Sequence, residues 1–234
     1  MEKLTCTSSP LTLVAMNDSR RIKDLLYEQV ARIGKAASSP KRLELIELLC
    51  QGEKSVETLA RETAISMKLA SAHLRELRAA HLVETEKQGK NVIYRIANRA
   101  VADFWVAIRS LAEDRLVELR LALEQMASHP KELAPQNRDG LVKLAKQGDV
   151  IVLDVRPATE YAAAHLPFAR SIPIDELRQR LAELPAGKTI VAYCRGPYCL
   201  MARDAVELLR QEGFEALHLP EGVAEWGIAP VRNA

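Results

Sequence analysis

Two cysteines share one short segment, Tyr193-Cys194-Arg195-Gly196-Pro197-Tyr198-Cys199, set between an apolar run at 189–192 and a helical pattern at 200–211. A cysteine on a tight strand-to-helix turn faces backbone N–H groups and the positive end of a helix dipole, and both favour an anion. Such surroundings lower a thiol pKa and make a nucleophile. The chemistry within reach is nucleophilic attack by the thiolate, with loop N–H groups and the helix dipole stabilising anionic sulfur. The second thiol, five positions on, can resolve a persulfide or close a disulfide or polysulfide bridge. The plain alternatives are a buried structural Cys194 and a helix-facing apolar Cys199, the common fate of free cysteine. Gly196 and Pro197 inside the loop, with Arg195 beside the first thiol, weigh toward a reactive pair.

The elements that must hold this loop belong to a small α/β unit. Strand-like runs at 150–155 and 189–193 alternate with helical runs at 141–147, 175–183 and 200–211. That alternation predicts a mainly parallel sheet with helices on both faces. Asp154 and Arg156 fall at the C-terminal end of the first strand, where sites in such sheets gather. Both enter the candidate catalytic set with Cys194, Cys199 and Arg195, although Asp154 also suits a structural acceptor that holds the loops. Arg195 could attract an anion such as thiosulfate, polysulfide or arsenate, or it could simply be exposed.

From about 137 to 231 the chain resembles a rhodanese (sulfurtransferase) domain. The resemblance rests on Val150-Ile151-Val152-Leu153-Asp154-Val155-Arg156-Pro157, Glu160-Tyr161, His165-Leu166-Pro167-Phe168-Ala169, the Cys194 loop, and Leu219-Pro220-Glu221-Gly222-Val223-Ala224-Glu225-Trp226, all in family order. It implies that Cys194 accepts sulfur and cycles through a persulfide. Cys199 departs from the pattern, because many rhodaneses carry a basic or small polar residue there. The departure speaks against sustained turnover with thiosulfate and for redox or sulfide sensing.

The first half reads as helices followed by a hairpin. Ile22, Leu25, Leu26, Val30 and Ile33 recur with a helical period. Residues 34–40 break it, and Pro40 opens the next helix, where proline is tolerated. Ser55 starts a short helix, and Ser66 is an N-cap for a helix over 67–80. Two helices joined by a few residues fit helix-turn-helix geometry. Residues 82–86 and 92–96 then read as strands around the basic loop Lys87-Gln88-Gly89-Lys90-Asn91. Between Ser66 and Arg95, six Lys/Arg face three Glu, so phosphate binding would be local in a chain of net charge +2. A solvated charged face is the plain alternative.

The runs Gly34-Lys35-Ala36-Ala37-Ser38-Ser39-Pro40-Lys41-Arg42-Leu43, Gly52-Glu53-Lys54-Ser55-Val56-Glu57-Thr58-Leu59-Ala60 and Ser66-Met67-Lys68-Leu69-Ala70-Ser71-Ala72-His73-Leu74-Arg75-Glu76-Leu77 resemble the ArsR family of dimeric repressors. The similarity covers roughly 22–126. It implies a homodimer on a two-fold symmetric operator, one recognition helix per major groove and wings on the phosphates. On that basis Ser66, Lys68, Ser71, His73 and Arg75 are the candidates for the groove, and Lys87, Lys90 and Arg95 for phosphates. His73 fits packing under the helix equally well. His81 stands where the family often has glycine at positive φ, which histidine tolerates better than most side chains.

The resemblance also shows what is missing. Arsenic-sensing members pair cysteines in the helix before the recognition helix, where this chain has Ser55 and Glu57. Zinc-sensing members use Asp and His on a C-terminal dimer helix. Here that helix is expected at 101–128, with an apolar face of Phe104, Trp105, Ile108, Leu111, Leu116, Leu119 and Leu123 suited to a dimer seam. No metal and no cofactor is expected.

At 234 residues and 48% hydrophobic, the chain can bury more than one core. No apolar run approaches the roughly 18 residues of a membrane helix, and no signal peptide is recognisable, so a cytosolic protein is expected. Four cysteines are too few for a disulfide scaffold. The expected organisation is a flexible extension over 1–19, with Met16 a possible natural start and Cys6 given little weight. An α+β winged helix-turn-helix domain follows over 20–128, then a linker over 129–136 and the α/β rhodanese-like domain over 137–234. The leading functional expectation is a repressor that binds operator DNA as a homodimer and responds to reactive sulfur or oxidants through Cys194 and Cys199. The alternatives are a sulfurtransferase tethered to a DNA-binding module and an arsenate-handling regulator.

Overall fold

The computed structural model describes residues 10–126, 138–228 and 230, with side chains from residue 18 onward. Helix α1 (Pro10–Ala37) leads into α2 (Pro40–Leu49), which opens on proline behind Ser39. The short strand β1 (Lys54–Ser55) precedes α3 (Val56–Glu62) and α4 (Met67–Ala79). Both helices are capped as the serines predict. Ser55 Oγ accepts from Thr58 N at 3.2 Å, and Ser66 Oγ accepts from Leu69 N at 3.3 Å. Each such cap contributes about 1 kcal/mol. Ala64 supplies the tight turn between the helices at φ 52°, and His81 ends α4 at φ 57°.

Strands β2 (Val83–Gln88) and β3 (Asn91–Ile96) form the wing, and β1 adds to its other side in the order β1-β3-β2, all antiparallel. Helix α5 (Arg99–Arg115) packs back on α2 and is followed by α6 (Val117–Met126). Leu45, Ile46, Leu49, Leu59, Leu74 and Leu77 are the fully buried centre of this half.

The second half begins with α7 (Arg138–Gln147), then β4 (Val150–Asp154), α8 (Ala158–Ala163), β5 (Arg170–Ser171) and α9 (Ile174–Leu177). It ends with β6 (Thr189–Tyr193), α10 (Met201–Gln211) and β7 (Ala216–Leu219). The sheet is parallel throughout in the order β5-β4-β6-β7. Its two central strands are buried on both faces, hence their unbroken apolar runs. Alternation along β6 sends Ile190, Ala192 and Cys194 to the face under α10, and Val191 and Tyr193 to the opposite face.

Several expected boundaries move. Helix α1 starts at Pro10 rather than near Ile22 and runs through Gly34 to Ala37. Its last carbonyls are satisfied by Arg42, whose guanidinium donates to Ala36 O and Lys35 O, so the glycine does not end it. The single helix expected over 101–128 is two helices, broken at Leu116 (φ −105°, ψ 108°). Glu113 and Asp114 in the last turn of α5 oppose the helix dipole there. Trp105 lies in the chain's own core rather than on an open seam. The helix expected at 175–183 is reduced to α9 and one 3-10 turn at Leu181–Glu183. Cys6 and the linker at 129–136 lie outside the described residues.

Candidate thiol site and its seam with the N-terminal half

The sheet delivers the thiol loop where the sequence predicts, between β6 and α10. Cys194 is 1% exposed, whereas Cys199 is partly open. The Cys194 Sγ receives N–H groups from Gly196 and Ala202, and its S–H points at Cys199, whose backbone O accepts at 3.4 Å and whose thiol is the alternative acceptor. Cys199 also receives the N–H groups of Arg195 and Met201. The two thiols therefore share protons as a coupled pair. Burial pushes the Cys194 thiol up. The hydrogen bond from Cys194, the two N–H donors and the Arg195 charge pull Cys199 down to about 7, against burial. The loop does favour a thiolate, and of the two thiols Cys199 is shifted toward the anion and Cys194 away from it.

Two glycines keep the loop in place. Gly196 takes φ 141°, and a Cβ there would meet the Glu225 carboxylate at 3.2 Å. At Gly222 a Cβ would lie 2.7 Å from Arg195 C, Arg195 O and Cys194 O. Backbone and carboxylate thus wall the loop from two sides.

Asp154 and Arg156 are both fully buried and bind each other. Arg156 Nε donates to Asp154 Oδ1 at 3.0 Å and Nη2 to Oδ2 at 2.6 Å. Tyr193 Oη donates to the same carboxylate, and Leu166 N donates to Tyr193 Oη at 3.1 Å. Arg156 also reaches Ala164 O at 2.6 Å and Gln51 Oε1 at 2.9 Å. These two residues tie the β4 end to neighbouring loops and to the turn after α2; among the described residues no hydrogen bond or ion pair joins them to the thiols.

Arg195 is not open to solvent. Its guanidinium holds Glu160 through Nη2–Oε1 at 2.6 Å and Nε–Oε2 at 3.0 Å, and Nη2 lies 2.8 Å from Glu62 Oε2. Lys54 Nζ completes a ring, 2.7 Å from Glu160 Oε1 and 3.5 Å from Glu62 Oε1. Burial alone would raise the Glu160 carboxyl, but Arg195 and Lys54 outweigh it and hold it below the usual range.

The loop faces the N-terminal half along its length. Gln51, at the end of α2, donates to Arg195 O at 3.3 Å. Tyr198 packs edge-on to Trp105 of α5 at 6.3 Å between ring centroids, and Arg109 stacks over both rings. Arg109 Nη1 also reaches Glu225 Oε1 at 2.7 Å, while Glu225 Oε2 accepts from Gly222 N at 2.6 Å. Glu47, one turn before Gln51, is raised to about 7 by burial and by the charge on Cys199. None of Lys54, Glu62, Glu160, Gln51, Arg109 or Glu225 stands out in the sequence as part of the site, because each acquires its role only across the seam.

On the opposite side of α4 from the core, Ser66, Lys68 and Arg75 are exposed, and Ser71 and His73 are half-buried. Lys87 and Lys90 project from the wing tip. Arg95 is already engaged, with Glu84 at 2.8 Å and Glu86 at 3.1 Å.

Residues 137–229 match the rhodanese-like domain family, and residues 39–85 match the bacterial regulatory protein, arsR family. The chain is 41% identical over 207 residues to the HTH-type transcriptional regulator Rv0324 of Mycobacterium tuberculosis, covering 88% of this chain and 91% of that one. A sulfurtransferase of Allochromatium vinosum is 31% identical over 85 residues, 36% of this chain and 78% of that one. A solution structure of the homodimeric winged helix-turn-helix DNA-binding domain of a possible ArsR-family regulator from Mycobacterium bovis covers 41% of this chain and 89% of its own, at 38% identity and TM-score 0.39. With a capped helix-turn-helix and wing in one half and a parallel sheet presenting a two-cysteine loop in the other, the chain belongs to the ArsR-family transcriptional regulators that carry a C-terminal rhodanese-like domain.

Proposed function

We propose that this regulator is a homodimeric repressor that leaves its operator when sulfane sulfur or an oxidant converts Cys194 and Cys199 to a persulfide or a disulfide. The observation that carries this reading is the placement of the thiol loop against α2 and α5 of the DNA-binding half, rather than facing open solvent as a turnover site would. For a hydrogen polysulfide the steps balance as follows. The Cys199 thiolate attacks the sulfane sulfur and expels hydrosulfide. Cys194 gives its proton to that hydrosulfide, attacks the Cys199 sulfur as a thiolate and expels a second hydrosulfide. The sulfane sulfur is reduced as the two thiols are oxidised, and a thiol reductant reverses the bridge.

DNA is held by α4 in the major groove, with Ser66, Lys68, Ser71, His73 and Arg75 toward bases and Lys87 and Lys90 on phosphates. The apolar stripe of α1, with Ile22, Leu25, Leu26 and Val30 each more than half exposed, and Leu116, Val117 and Leu121 beyond α5 supply faces for a second copy.

The test is binding to a DNA fragment selected with the reduced protein, before and after polysulfide, at fixed salt because phosphate contacts make affinity salt-dependent. A large loss of affinity that dithiothreitol restores supports the proposal; unchanged affinity rejects it. A tethered sulfurtransferase would instead move sulfur from thiosulfate to cyanide over many turnovers, which the burial of Cys194 disfavours.

A further inference from the structure

The ring Lys54–Glu160–Arg195–Glu62 has three properties. Its charges alternate in sign around the ring, so each cation touches both anions. Each half of the chain supplies one cation and one anion: Lys54 and Glu62 from the DNA-binding half, Glu160 and Arg195 from the rhodanese-like half. It is also largely dry, with the Lys54 side chain 7% and the Glu160 side chain 2% exposed.

Its positions in the chain give these contacts a direction. Arg195 directly follows Cys194. Lys54 and Glu62 bracket α3, the helix that packs on α4, and Lys54 is also paired with Tyr94 of the wing strand β3. A change at the thiols therefore has a short physical route to both ends of α3.

The loop cannot absorb such a change silently. Cys194 is buried, the backbone of residues 194 and 195 lies against Gly222, and Gly196 lies against Glu225. Close-packed surroundings respond to an added sulfur atom, or to the shortening of a cysteine pair to bonding distance, by shifting whatever can move. The part of the loop with most room to shift is the Arg195 side chain, 16% exposed against 2% for its partner Glu160. Its grip on Glu62 is already the weaker one: Nη2 lies 2.8 Å from Glu62 Oε2 without the alignment of a hydrogen bond, whereas its grip on Glu160 is two-pronged.

We infer that this four-charge ring is the latch through which the state of the Cys194 loop reaches the recognition helix: with the thiols reduced it fixes α3 to the rhodanese-like half, and with the thiols bridged Arg195 withdraws from Glu62 and α3 is released. The inference rests on the sulfur-responsive reading above and names its route. It also gives Arg195 a role other than holding an anionic substrate, since its charge is matched by two carboxylates.

The full-length variant Lys54→Met/Glu62→Gln tests it. The pair removes one positive and one negative charge from the DNA-binding half and leaves Glu160 and Arg195 neutralising each other, so no buried charge is stranded. Operator affinity and sulfur uptake by intact mass are measured before and after polysulfide, with hydrogen exchange read at the amides of 56–62. The wild type should lose affinity by roughly 5- to 150-fold, the range typical of coupled sites, and exchange faster in α3. The variant should take up sulfur as before, with its affinity changing by less than about twofold and its α3 exchange unchanged by sulfur. A folded variant that keeps the full wild-type response overturns the latch while leaving the sulfur response standing. A wild type that is bridged yet keeps its affinity overturns the sulfur response itself, and the latch with it. Should the double variant fail to fold, Lys54→Met/Glu62→Leu is read in the same way, since it removes the Arg195–Glu62 contact and again leaves Glu160 and Arg195 paired.

Discussion

Replacing Cys194 with alanine removes the donor that holds the thiolate on Cys199, and the consequence can be worked out. With its pKa near 7, Cys199 is about half ionised at pH 7, against about 1% for a thiol at the ordinary 9.0. Ionisation alone gives a ~50-fold advantage, which the lower nucleophilicity of a more acidic thiolate (Brønsted slope about 0.45) cuts to roughly sixfold. Alkylation by iodoacetamide, followed against pH with peptide mapping, reads this directly. In the wild type the first label should fall on Cys199, with a midpoint near pH 7. Cys194→Ala should move that midpoint upward and slow labelling at pH 7 by several-fold. Cys194→Ser, which keeps a hydroxyl donor, should hold most of the effect. If the first label falls on Cys194, or if Cys194→Ala leaves the Cys199 midpoint in place, the reasoning about the shared proton is wrong.

The seam makes further predictions. The Glu47 carboxyl is raised from 4.5 to about 7, so the unfolded chain releases this proton at lower pH than the native one, and stability falls as pH rises from about 4.5 to 7. Glu47→Gln should remove that dependence and raise Tm at pH 8 by a few degrees, corresponding to about 1–3 kcal/mol; a lower Tm in scanning calorimetry would contradict it. Lys90→Ala removes one phosphate contact from each copy of the homodimer and should reduce the slope of log affinity against log salt by about 1.8, whereas Arg95→Ala, already matched by two glutamates, should change it by less than half as much; equal slope changes in fluorescence anisotropy titrations would reject the distinction. Gly222→Ala places a Cβ into the backbone of Cys194 and Arg195, and should cost several kcal/mol in urea unfolding or displace the loop; a neutral substitution would contradict the packing described.

What could be read from the sequence was local. Ser55 and Ser66 fix helix starts because an N-cap acts within three residues. The thiol loop was legible because a strand, a glycine-containing turn and a helix follow in direct succession, and positive φ at His81 is what the resemblance to the ArsR family implies. The ring was not legible, since Lys54 and Glu160 meet across 106 positions and an isolated lysine or glutamate reads as a solvated charge. The expected fate of Trp105 failed for the same reason: an apolar face looks alike whether a second copy or the chain's own Tyr198 covers it. The opposite shifts of the two thiols depend on the hydrogen bond from Cys194 to Cys199 and on the burial of Cys194, which spacing alone does not reveal.

The most direct measurement of the central claim is to titrate one sample of the full chain, bound to its operator fragment, with substoichiometric polysulfide, reading bound DNA and the bridged fraction by mass at each point. The account predicts that DNA release tracks closure of the Cys194–Cys199 bridge and reverses with a thiol reductant. DNA that stays bound while the bridge closes to completion would contradict it.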